Sequence, residues 1–426
     1  MKQSIKDKLS LFNPAFILSL IVLIIISTAN TMIGGYRAVY VTQELGATAT
    51  AAGVVGMWWT YGSMVVRLFV GRFSSKWGDQ KLLVIGSIGY GLTLAAAALT
   101  TDVTNFTIVI VLQAICHPFC YITSNSLLSK AIPKGQEGTG TYLFVGIPSA
   151  ICSAAGPWIA NACIKAAGFD LLFICAGLMM AVCVLLSIGL IIYSRKRFGA
   201  INSTDSESPP QLGQPVSEPR KAKQHRGIRG FIEGFIEVRA LGPCFLQILG
   251  NLAEMAVMMY GMMYATELGI PECGAIMFTA VSISQLVVTF LLGSVMDRFG
   301  MISVLLPGAA MGIAAYMVFL FGGTSYAIWV IAGVLYGVAA GCMRPTFNAG
   351  MIKMVSKDRL NVATSNFALA TSIGGGIAGV VIGAFIDNTG YNGVWIFSSI
   401  MYAVVFLMSF VIFRKYMFSK KSTADS

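Results

Sequence analysis

Gly71-Arg72-Phe73-Ser74-Ser75-Lys76-Trp77-Gly78 and Gly293-Ser294-Val295-Met296-Asp297-Arg298-Phe299-Gly300 are two copies of one stretch. Each ends an apolar run, and each run follows the same tripeptide, Glu44-Leu45-Gly46 in the first copy and Glu267-Leu268-Gly269 in the second. The offset of about 222 residues returns where Gly168-Phe169-Asp170 matches Gly390-Tyr391-Asn392. A register held over so much chain predicts two similar halves, which is how many transporters are built. Each copy reads as a short, polar, glycine-bounded turn at the end of a spanning helix.

The rest of the composition names the solvent. Charged residues make up 11% of the chain and hydrophobic ones 56%, with a mean hydropathy of +0.76, whereas soluble domains carry about 25% charged residues. Apolar runs of roughly 20 residues recur, each long enough to cross a hydrocarbon core about 30 Å thick as a helix. Twelve such spans are expected. The first, about Phe12 to Val41, has no small-residue cleavage site and reads as a retained helix.

A net charge of +11 would suggest nucleic acid in a soluble protein, but its placement excludes that class. Of 29 Lys and Arg residues, all but Arg37, Arg67, Lys165 and Arg344 fall in the tails, in alternate loops or at helix ends. The positive-inside rule makes those segments, and both termini, cytoplasmic in an integral plasma membrane protein. The nine cysteines are odd in number and scattered through apolar runs. Cys116 and Cys120, one helical turn apart, read as small packing residues, and no disulfide framework is expected.

At Gly71–Gly78 the sequence resembles the major facilitator superfamily. That family's loop between the second and third helices runs Gly, two variable residues, a small residue, Asp, a basic residue, any residue, Gly, then basic residues. Gly71, Phe73, Ser74, Lys76, Gly78 and Lys81 fit, while Ser75 stands at the Asp position; the second copy keeps the acid as Asp297, followed by Arg298 and Gly300. The resemblance implies an all-α membrane protein of twelve transmembrane helices in two pseudo-symmetric six-helix bundles. It also implies a cytoplasmic gate at Arg67, Gly71, Lys76, Gly78, Gly293, Asp297 and Arg298. Gly146-Ile147-Pro148 and Gly156-Pro157 resemble the fifth-helix motif of the family's exporters, which predicts a bend at Gly156 and Pro157 and favours export.

The expected organisation is a first bundle over 1–194, a cytoplasmic linker over 195–240, a second bundle over 241–418 and a cytoplasmic tail over 419–426. The linker is rich in Ser, Pro, Gln and charge, which cannot bury a core. Phe231, Ile232, Phe235 and Ile236 alternate in pairs with Glu233 and Glu237, predicting a short amphipathic helix at the interface.

Polar faces recur on four helices. Asn30 and Arg37 share a face of the first with Ser27, Thr31 and Gly34; His117 and Tyr121 share one of the fourth with Gln113 and Ser124. Asn251, Glu254 and Met258 line one side of the seventh with Gln247, and Arg344 precedes Pro345 and Asn348 on the tenth. Interhelical hydrogen bonding and substrate contact are both open readings of such faces. In the family these helices line a central cavity, which implies a substrate site at Asn30, Arg37, His117, Tyr121, Asn251, Glu254, Met258, Arg344 and Asn348.

Glu254 sits near mid-depth, where a carboxylate costs about 2.5 to 3.5 kcal/mol by insertion scales, so it must face a cavity, pair with a cation or take up a proton. Glu254 and the imidazole of His117 are the candidates for proton coupling. The expected function is secondary active transport of a small polar or amphipathic organic solute by alternating access, as proton-coupled efflux. The alternatives are coupled uptake or facilitated diffusion of a small organic anion and, from another class, a non-transporting membrane receptor. The expected partners are the solute, protons and the lipid bilayer, with no nucleic acid, no cofactor and no metal, and the protein is expected to act as a monomer. No nucleophile and base pair, metal-ligand cluster or phosphate loop argues for an enzyme.

Overall fold

A computed structural model describes residues 14–130, 137–198, 237–321, 323–356 and 359–414. Among the described residues it holds twelve helices and no strand. The first six are α1 (Pro14–Val39, prolonged by a wider turn at Tyr40–Glu44), α2 (Ala49–Trp77), α3 (Asp79–Ala96), α4 (Val103–Lys130), α5 (137–166) and α6 (169–198). The second six are α7 (Leu241–Glu267), α8 (Pro271–Phe299), α9 (Ile302–Phe321), α10 (Tyr326–Met354), α11 (360–389) and α12 (391–412). α5 and α6 form one run, Glu137–Phe198, broken where Ala167 and Gly168 leave helical geometry. α11 and α12 likewise form Leu360–Ile412, broken at Gly390.

Nine of these elements are long and apolar enough to cross a bilayer, and the two broken runs contribute spans of 43 and 51 residues, each enough for two crossings. Ala49–Trp77 completes the twelve; it carries Arg67, Arg72 and Lys76. Large apolar side chains point outward along the spans, Leu185 at 70% exposure and Leu407 at 64%. Lipid is the medium in which such a surface is stable.

The internal repeat has a backbone basis. Six of the seven glycines with positive φ fall into pairs one repeat apart: Gly46 with Gly269, Gly78 with Gly300, and Gly168 with Gly390. An L side chain is strained at such φ, so both copies require glycine at the same hinge points. Packing is duplicated too. A Cβ on Gly86 of α3 would strike Cys120 and Phe119 of α4, and a Cβ on Gly308 of α9 would strike Cys342 of α10, again one repeat on. Cys116 lies against Gly89 in the same α3–α4 seam, so these cysteines pack as small residues; all nine thiols are free.

The polar turns read from the sequence are mostly helix. α2 continues through Arg72 to Trp77, and only Gly78, at φ 81°, breaks the chain before α3. α8 likewise runs to Phe299 and stops at Gly300, φ 85°. Nothing between Gly71 and Gly78 opposes helix, since the six intervening residues include neither Gly nor Pro. Pro157 stays within α5, and the non-helical angles of that run fall ten residues later, at Ala167 and Gly168. What Gly156 permits is close approach: a Cβ there would meet Thr31 Oγ1 and the Met32 amide of α1, and Thr31 donates to the Cys152 carbonyl at 2.8 Å.

The described residues form two compact units. One takes those up to 47 and from 58 to 198; the other takes 48–57 and those from 237 onward. α2 thus begins in the second unit and continues into the first. Within the second, Asp387 of α11 accepts from the Ala49 amide at 2.9 Å and the Thr50 amide at 2.9 Å, capping the start of α2. Tyr260 of α7 donates to the Ala49 carbonyl at 3.1 Å and that of Gly379 at 2.6 Å. The expected amphipathic helix over 231–236, most of the linker and the tails before 14 and after 414 lie outside the described residues.

Candidate functional site

In the first unit, four helices bring together Arg37 (α1), Trp59 (α2), Tyr90 (α3) and His117 (α4). The end of α1 is held by Tyr40, whose ring lies 4.8 Å from that of Phe106 and 4.9 Å from that of Phe173 and whose hydroxyl donates to the Thr100 carbonyl at 2.9 Å. Three residues back, the Arg37 guanidinium lies over the Trp59 ring, 4.5 Å from its centroid. His117 shares that ring at 5.3 Å, approaches Tyr90 at 5.2 Å and stacks on Tyr121 at 5.4 Å. Asn30, predicted on the Arg37 face, accepts from the Tyr90 hydroxyl at 3.4 Å.

Arg37 and His117 are only 8% and 6% exposed, yet Arg37 Nε and both His117 ring nitrogens have no hydrogen-bond partner. Neither side chain forms an ion pair with a described acidic residue. The effective penalty for a buried ion is several kcal/mol, and a desolvated cation–π contact returns about 2. The arrangement is therefore electrostatically incomplete, a cation held in an aromatic frame without an anion. Gln113, on the same face of α4, spends its amide on the Thr93 carbonyl at 3.1 Å and is structural.

In the second unit, Glu254 is the middle residue of α7, with thirteen residues on each side. Its carboxylate is half-buried and forms no hydrogen bond or ion pair with a described residue. It lines a small cavity of about 10 Å³ with Gly250, Ala253, Met343, Phe347, Tyr402 and Val405, a volume at the threshold for one water. The Tyr402 hydroxyl in that wall is buried and also unpartnered. Two other tyrosines pin α7 here: Tyr336 donates to the Glu254 carbonyl at 3.2 Å and Tyr316 to that of Ala253.

The remaining predicted residues divide. Asn251 is committed to packing: it accepts from Gln247 at 3.2 Å and donates to the Thr371 carbonyl of α11 at 2.9 Å. Met258 and Asn348 are half-buried, and Arg344 is exposed and not in ion-pair contact with Glu254. Of the gate residues, Arg67 is half-buried; Gly71, Lys76, Gly78 and Arg298 are exposed. The side chains at Gly293 and Asp297 lie outside those described.

Sequence reasoning missed Asp79, which is 7% exposed. It follows Gly78, where the family pattern places a basic residue, and sits four residues beyond Ser75, where the pattern places its acid. Its carboxylate accepts from Lys130 at 2.8 Å, from Ser126 at 2.6 Å and from Ser74, tying the end of α2 and the start of α3 to the end of α4. An acid one turn late, with a lysine near the end of the fourth helix, was the available signal. Trp59, Tyr90 and Tyr402 were missed because apolar rings in apolar spans carry no polar periodicity.

The family model described as Major Facilitator Superfamily matches residues 19–277 and again 245–425. Among curated proteins, the staphylopine export protein of Staphylococcus aureus (strain Mu50 / ATCC 700699) is 22% identical over 375 residues, covering 87% of this chain and 89% of that one. Among solved structures, the nucleoside transporter NupG is 17% identical with a TM-score of 0.70, covering 96% of this chain and 99% of that one. A bacterial homolog to the human lysosomal transporter Spinster, in an inward-facing and unoccupied conformation, is 14% identical with a TM-score of 0.67, covering 97% and 100%. At such identities the structural likeness establishes the fold.

Proposed function

This chain belongs to the Major Facilitator Superfamily and is a membrane transporter, not an enzyme, and on that premise we propose that it exports a small polar or amphipathic organic solute in exchange for protons. The observation that carries the reading is Glu254: a carboxylate at the centre of a spanning helix, in ion-pair or hydrogen-bond contact with no described residue, beside a cavity at the size of one water. A carboxyl so placed is suited to alternate between neutral and charged forms as water reaches it. Arg344, a permanent cation on α10, is an anchor for the solute. The exporter relative, matched over 87% of this chain, supports the direction. The two halves alternate access by rocking, in the plasma membrane with both termini cytoplasmic, as the distribution of Lys and Arg favours.

A thermal-shift screen of purified protein identifies the solute. Proteoliposomes then measure its movement against a concentration gradient with and without an imposed pH gradient. Wild type is expected to transport uphill only with the pH gradient, and Glu254→Gln to lose uphill transport while folding and binding normally. Uphill transport by that variant at the wild-type rate would remove Glu254 from the mechanism.

A further inference from the structure

We propose that Arg37, in the frame of Trp59, Tyr90 and His117, binds a carboxylate of the transported solute. The proposal rests on the transporter reading but not on proton coupling. Arg37 is 8% exposed, its Nε is buried and unpartnered, and no described acid pairs with it. The face of Trp59 lies 4.5 Å from the guanidinium, and the unpartnered Nε–H is left for an anion. Guanidinium donors match a carboxylate in a bidentate plane.

The second buried group fixes what accompanies the charge. His117 touches the same indole, and neither ring nitrogen is bonded. A neutral imidazole offers one donor and one acceptor. A solute with a carboxylate and a neighbouring hydrogen-bonding group satisfies both residues together. Trp59 and the stacked Tyr121 supply flat apolar surface for a planar body. An organic acid whose carboxylate lies beside a hydrogen-bonding group fits the pair of Arg37 and His117; a simple organic cation does not.

The test uses three probes of one shape and different charge: benzoate, benzamide and benzylamine, titrated against purified full-length protein by tryptophan fluorescence and thermal shift. Benzoate is expected to bind wild type at least tenfold more tightly than the other two, and at least tenfold more weakly to Arg37→Gln and to Arg37→Lys, the latter keeping the charge and losing the fork. Arg37→Met is expected to keep or raise the unliganded Tm, because it removes an uncompensated buried charge; a structural arginine would lower it. Equal benzoate binding by wild type and Arg37→Gln, tighter binding of benzylamine or inorganic phosphate than of benzoate, or no benzoate binding at all would each overturn the proposal. None of these outcomes touches the coupling assay on Glu254→Gln, so failure of this site and failure of the transport mechanism are separable.

Discussion

At the scale of single residues, two carboxyl groups, the buried Asp79 and the half-buried Glu254, show opposite design. Asp79 is saturated, with Lys130, Ser126 and Ser74 on its two oxygens; Glu254 has none of these. Asp79 therefore belongs to stability. Asp79→Asn is expected to lower stability by about 2 kcal/mol, the range for a hydrogen bond to a charged group, measurable as a reduced midpoint in detergent unfolding. Tyr402→Phe makes the converse prediction. Its hydroxyl has no partner and lines the Glu254 cavity, so stability should stay within about 1 kcal/mol, while pH-driven transport falls several-fold in proteoliposomes. Glu254 was legible in the sequence because charge in an apolar run is conspicuous. Tyr402 was not, because a tyrosine among leucines and valines reads as packing until the cavity beside it is seen.

At the scale of elements, helix contacts depend on where side chains are missing. A Cβ at Gly337 of α10 would strike Ser284 and the Val281 carbonyl of α8, while one at Gly34 of α1 meets nothing within 4 Å. Gly337→Ala is expected to destabilise by about 1 to 3 kcal/mol through overpacking. Gly34→Ala is expected to be neutral or to stabilise by up to about 1 kcal/mol through helix propensity. Paired Tm measurements decide between them. Both positions are simply glycine in the sequence, and only the neighbouring helix distinguishes them. Helix limits were more legible: the first span was expected over about Phe12 to Val41, and α1 is described over Pro14–Val39 with its wider turn continuing to Glu44. The Gly71–Gly78 stretch was misread as a turn because its polar composition looks like a loop, although its only break is Gly78. The Asp387 cap on α2 was invisible for a different reason, since donor and acceptor lie more than 330 residues apart. Asp387→Ala is expected to cost about 1 to 2 kcal/mol, as for loss of an N-cap, with faster amide exchange confined to the first turn of α2.

At the scale of the whole molecule, the repeat explains both the fold and its asymmetry. Paired glycines at Gly46 and Gly269, Gly78 and Gly300, and Gly168 and Gly390 set the same hinges in both copies. Between those hinges the halves have diverged in charge: the first unit buries a cation at Arg37 and the second places a carboxylate at Glu254. The duplication was legible because it is written in backbone-constrained residues. The chemistry of each half was only partly so, because Asn251 and Gln113 share the polar faces yet are spent on carbonyls. Periodicity marks a face; it does not separate the residues that pack from those that meet the solute.

Proton movement itself tests this account most directly. With a pH-sensitive dye sealed inside proteoliposomes, addition of the identified solute should drive a proton flux in wild type and none in Glu254→Gln, while solute exchange at equal concentrations persists in both. Solute-driven proton flux of equal size in the two proteins, or solute movement in wild type with no proton flux, would contradict it.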